Sequence, residues 1–176
     1  MMKARDMGND VDLVETLLGL IRQNFEEHGY LTPVIFVVPG LELGVPFCIL
    51  DASKFMTGEA GKDALAEVTR TFCAEVKATT VIMATEVWSL PPGHPASLSH
   101  EAMAAEYERY GGLANHPDRV EAVSVSVESR SGCCLYMAKI SRKEERPGLS
   151  EWENLEGNER SSGRFVGFLP VQDAAN

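Results

Sequence analysis

The chain has 176 residues, 44% of them hydrophobic and 24% charged, and a formal charge of −10. That length buries a core without disulfide or metal staples, so a single globular domain is expected. The negative balance, with no Lys/Arg cluster, argues against nucleic acid or an anionic membrane as partner. The charged N-terminus is followed by VDLVETLLGLIRQNF, interrupted by Asp12, Glu15 and Arg22, so neither a membrane span nor a secretory leader is expected and the location reads as cytoplasmic.

Leu13, Val14, Leu17, Leu18, Ile21 and Phe25 recur at helical spacing, which predicts a helix over 10–28, capped by Asp10 and ended by Gly29. Leu13, Leu17, Leu18 and Leu20 make its apolar face broad, a sign of deep burial or subunit contact. TPVIFVV (32–38) and GVPFCIL (44–50) read as a hairpin around PGLELG. Leu65, Val68, Phe72 and Val76 mark a second helix over 60–77. MTGEAGKDALAE, ahead of and into that helix, is no phosphate loop: Met56 stands where the first glycine belongs and Asp63 where the hydroxyl belongs.

TTVIMATEVW is apolar in both alternating sets, as in an inner strand covered on two faces. Residues 91–118 are too long for a plain turn, and SHEAMAAEYERY within them gives a short helix capped by Ser99. VEAVSVSVE (120–128) and SGCCLYMAKI (131–140) form a second hairpin around a tight Arg-Ser-Gly turn. Beyond Arg142 the residues read as a mobile polar connection, followed by a candidate edge strand at 164–169.

The expected fold is therefore α+β, in the order α-β-β-α-β-β-β plus the C-terminal strand. It has a mixed five- or six-stranded sheet with two main helices on one face, in one domain over 1–142 with 143–176 as connection and tail. A crossover through the second helix would set FCIL and IMATEVW side by side and parallel. Asp51 and Glu86 then share one sheet end, to which Arg119 and Glu121 return.

Two constellations carry potential chemistry. Asp51, Glu86, Arg119 and Glu121, beside Trp88, form either a crowded acid/base site or a structural ion pair in which Arg119 neutralises Glu86; pairing is the simpler reading. His94, His100 and His116 hold three of the four histidines in one connection, although their spacing matches no metal motif and solvated loop histidines are the plainer reading. Cys48, Cys73, Cys133 and Cys134 lack metal-knuckle spacing and suit reduced thiols, the adjacent pair pointing to opposite strand faces.

On Glu86-x-Trp88, the Pro-rich insertion, HPDRVEAVSVSVE and the Ile-Ser-Arg strand end, the chain resembles a family of uncharacterised bacterial and phage proteins of unknown function, over roughly residues 30–142. The resemblance implies no activity and no cofactor. The expected role is a binding or assembly module that forms a homodimer, because a sheet apolar on both faces with helices on one needs a second cover; an unidentified protein or small molecule is a further partner class. The alternative is a metal-assisted or acid/base, hydrolase-like enzyme at the sheet end near Glu86 and the 91–118 connection.

Overall fold

The computed structural model describes residues 6–40, 43–91, 93–130, 132–142, 146–155 and 165–169, and the side chains of 6–12, 97, 98 and 100 lie outside that description. Three helices and seven strands follow in the order α1 (Asp6–His28), β1 (Val34–Val38), β2 (Cys48–Asp51), α2 (Glu59–Glu75), β3 (Thr80–Ser89), α3 (His100–Tyr110), β4 (Val120–Ser129), β5 (Gly132–Ser141), β6 (Gly148–Leu149) and β7 (Glu153–Asn154). The chain is α+β, and the sheet runs β2-β1-β3-β4-β5-β6, with β7 also on β5.

Every pairing is antiparallel, which corrects the expected mixed sheet. The β1–β2 hairpin forms as read, but β3 adds to β1 rather than to β2. Strands β2 and β3 still point the same way, since both run against β1, yet β1 separates them. The cause lies in burial: VIFVV is apolar enough to be covered on both sides, whereas β2 follows Pro46 and alternates half-buried with exposed residues, as an outer strand does.

The helices take opposite faces, a second correction. Val14, Leu17, Leu18, Ile21 and Phe25 of α1 pack on Ile82 and Ala84 of β3 and on Val123, Val125 and Val127 of β4. Leu65, Ala66 and Cys73 of α2 pack on Ile35 and Val37 of β1 and on Val81 and Met83 of β3. Strand β3 is apolar on both faces because a helix lies over each. The two helices are also displaced from one another: α1 covers β1, β3, β4 and β5, while α2 covers β2, β1 and β3. This leaves the α1 side of β2 and the α2 side of β4 and β5 without a helix above them.

Two further segments depart from expectation. Residues 148–154, read as part of a mobile polar connection, pair with β5 in two short pieces, and Arg22 of α1 fastens them by donating to the Leu149 and Ser150 carbonyls at 2.8 and 2.6 Å. Residues 165–169, the described part of the candidate edge strand, pair with no strand; they form an irregular strap on the α2 side that buries Phe168. A glycine in the first turn of α2 has a packing role: a methyl on Gly61 would meet the Phe55 carbonyl oxygen at 2.5 Å, so the helix can approach the preceding turn only without a Cβ there.

Candidate functional site

The sheet end reached by Glu86 is organised by Arg142, not by Arg119. Glu86 and Glu121 both face α1, because Glu86 pairs with Val123, and Glu121 lies two positions away, opposite Trp88. Antiparallel β5 then returns its own C-terminal end to the same rim. There Arg142 donates from Nε to Glu121 Oε2 at 2.7 Å and from Nη2 to Glu121 Oε1 and Glu86 Oε2, each at 3.3 Å. Its Nη1 donates to the Gly29 carbonyl at the end of α1 at 2.9 Å. Glu86 Oε1 accepts the Leu31 amide at 2.7 Å.

All four oxygens of the two carboxylates thus accept a hydrogen bond, and four parts of the chain meet at one guanidinium. A forked cation bridging two acids suits fastening far better than proton transfer, which needs an oxygen open to a reacting atom. The hydrogen bond that Arg142 donates to Glu121, reinforced by the charges of Glu121 and Glu86, raises the Arg142 pKa above its ordinary value against a smaller effect of burial.

The remaining predicted residues lie elsewhere. Arg119 stacks on the Trp88 ring at 5.0 Å and donates to the His116 carbonyl at 3.4 Å, so its expected pairing with Glu86 is corrected. Asp51 takes no part in the clamp: its carboxylate accepts the Ser53 amide at 2.9 Å, and bonds from Ser53 hold its pKa below the ordinary value.

The 91–118 connection folds around His116, which is 2% exposed and therefore not a solvated loop histidine. His94 and His116 each precede a proline and adopt the same extended backbone, at φ −63°, ψ 134° and φ −69°, ψ 135°. In both, the ring turns back so that Nδ1 accepts the amide two residues on, from Ala96 at 3.1 Å and from Asp118 at 3.0 Å. A neutral imidazole with an acceptor Nδ1 carries its proton on Nε2. For His116 that nitrogen faces Glu106 Oε2 at 3.3 Å, and the ring meets Tyr110 and His94 with centroids 4.4 and 5.4 Å apart.

His94, His116 and Asp118 bring potential ligand atoms within 4.8 Å of one another, whereas the His100 side chain lies outside the described residues. Coordination through Nε2 would move each proton to Nδ1, against a backbone amide, where metal-binding histidines normally point Nδ1–H at an acceptor. The arrangement is a lock that ties 94–118 together around a buried ring.

A hollow lies on each uncovered flank. The first, of about 530 Å³, lies between α1 and the β1–β2 hairpin and is lined by Leu20, Leu31, Val34, Phe36, Phe47 and Ile49, among others. The second, of about 500 Å³, lies over β3, β4 and β5 on the other side, with Met83, Thr85, Ser124, Ser126, Phe165 and Phe168 in its lining. The sequence carried the alternating serines of VEAVSVSVE, the signal for the second hollow, but not the strap that walls it.

No described helix is long and apolar enough to cross a membrane. No protein-family model, curated protein or solved structure matches the chain.

Proposed function

We propose that the chain is a non-catalytic assembly module that pairs with a second copy of itself along β2. The observation that supports this reading is the character of that strand. Among the described residues β2 pairs only with β1, so its outer backbone edge offers unpaired N–H and C=O groups. Ile49 is 59% exposed on it, and Leu20 of α1, 51% exposed, stands across the adjoining hollow. Proteins usually guard an outer strand with lysine, proline within the strand or a bulge. Cys48–Asp51 carries one acid at its end and no such guard.

A two-fold axis suits the strand. Side chains that share a face must oppose one another in an antiparallel pair. Ile49 would therefore face its own copy, Asp51 would face residue 47, and Leu50 would face Cys48 of the partner subunit. This register keeps the two acids apart and buries the two isoleucines together. The acid/base alternative has less support, since the carboxylates of Glu86 and Glu121 are occupied by Arg142 and the Leu31 amide.

Light scattering coupled to size exclusion tests the reading. At micromolar concentration the wild-type chain is expected at twice its 19.2 kDa mass, and Ile49→Lys at the single-chain mass with an unchanged circular dichroism spectrum. Leu50→Cys is expected to form an oxidised dimer with Cys48 of the partner subunit, a bridge for which opposed Cβ atoms of a strand pair are near enough. A wild-type chain that stays monomeric would remove the proposal.

A further inference from the structure

The hollow on the α2 side has features that self-pairing along β2 does not use. Strand β4 presents Val123, Val125 and Val127 to α1, and at the intervening positions Ser124 and Ser126 to this hollow. Thr85 of β3 is paired directly with Ser124, so three hydroxyl side chains form a compact patch on the floor. Small residues there give the hollow its depth, since longer side chains would fill it. Among the described residues the hydroxyls of Ser124 and Ser126 neither donate to nor accept from another protein group.

Apolar side chains make much of the walls, with Lys62 and Glu128 also in the lining, and one wall is fastened. Met83, Phe165 and Phe168 border the floor. Glu128 holds the strap by accepting the Phe168 and Leu169 amides at 3.0 and 2.9 Å. Arg70 lies over the Phe168 ring at 5.7 Å. The Glu128 carboxylate is thereby committed to the wall rather than offered to a ligand.

We infer that this hollow is a binding site for an uncharged, mainly apolar small molecule that carries carbonyl or hydroxyl groups. A concave site of about 500 Å³ lies within the usual range for small-molecule pockets, which are apolar with a few placed polar groups. The serine hydroxyls donate to such a carbonyl, and the thioether and phenyl groups cover the rest of the molecule. Lys62, which also lines the hollow, is held by Glu59 at 3.0 Å, and the chain's charge of −10 and the nearby Glu128 disfavour an anion.

Nile red, which is neutral, flat and carries a carbonyl, serves as the probe in a fluorescence titration of the full chain. Saturable binding is expected for the wild type and, undiminished, for Ile49→Lys, whose substitution lies in the other hollow. Ser126→Leu fills the floor and is expected to weaken binding about tenfold or more. Should that variant misfold, Ser124→Val makes the same test with a strand-favouring side chain, and amide shift perturbations on the wild type locate the dye directly. Absence of saturable binding, equal binding by a folded floor variant, loss of binding in Ile49→Lys, or shifts confined to α1 and β2 would each overturn the inference.

Discussion

Arg142 divides its guanidinium among Glu121, Glu86 and the Gly29 carbonyl, which belong to β4, β3 and the end of α1. Its removal leaves two acids facing one another and a carbonyl without its donor. Because the side chain is 42% exposed, water screens much of that effect, and Arg142→Met is expected to cost about 1–2 kcal/mol in urea denaturation. Arg142→Lys should recover less than half, since an ammonium cannot fork across both carboxylates. Cys73 gives a pH-dependent expectation. Burial, with a smaller contribution from Glu128, pushes its thiol up from 9.0 to about 11. The folded state therefore holds its proton where the unfolded chain releases it, so this contribution to stability is complete below about pH 9 and is lost as pH rises through about 11. Denaturation curves across that window should fall more steeply for the wild type than for Cys73→Ala. The acids Glu86 and Glu121 were legible from the antiparallel return of VEAVSVSVE to the end of the inner strand. Their partner was not, because assigning it required folding the second hairpin back by its register, which carries the Ile-Ser-Arg end to the rim ahead of Arg119.

Helices α1 and α2, the inner strand β3 and both hairpins were legible because periodicity and turn residues act locally. What periodicity cannot report is the order of strands across a sheet. The crossover rule set β2 against β3, but it constrains direction more than adjacency, and β1 took the place between them. The strap departs from the expected strand for a related reason: FVGFL has strand composition, yet the amides of Phe168 and Leu169 find a carboxylate instead of a strand edge. Glu128→Gln tests that attachment. Bonds to a charged acceptor are worth about 1.5–3 kcal/mol, so the amides of Phe168 and Leu169 should exchange about tenfold faster or more, while those in the middle of β4 remain unchanged. Hydrogen exchange followed residue by residue separates the two responses. Equal acceleration throughout β4 would mean that Glu128 supports the sheet itself and not the strap.

For the molecule as a whole, the charge of −10 opposes the approach of two copies. The proposed contact is apolar, with Asp51 at its margin, so added salt should screen the repulsion and leave the attraction in place. Sedimentation velocity is expected to show a larger dimer fraction at physiological ionic strength than at low salt; the reverse order would indicate that attraction between opposite charges holds the pair. The displaced positions of α1 and α2 have a geometric consequence for such a pair. With like faces aligned across the axis, the hollows beside α1 merge at the centre, while those walled by the straps are carried to the two ends on the reverse side. From β4 of one copy to β4 of the other there are seven strand intervals of about 4.8 Å, or roughly 34 Å. The assembly would then be bivalent, its outer compartments far enough apart to fill independently and joined by one continuous sheet.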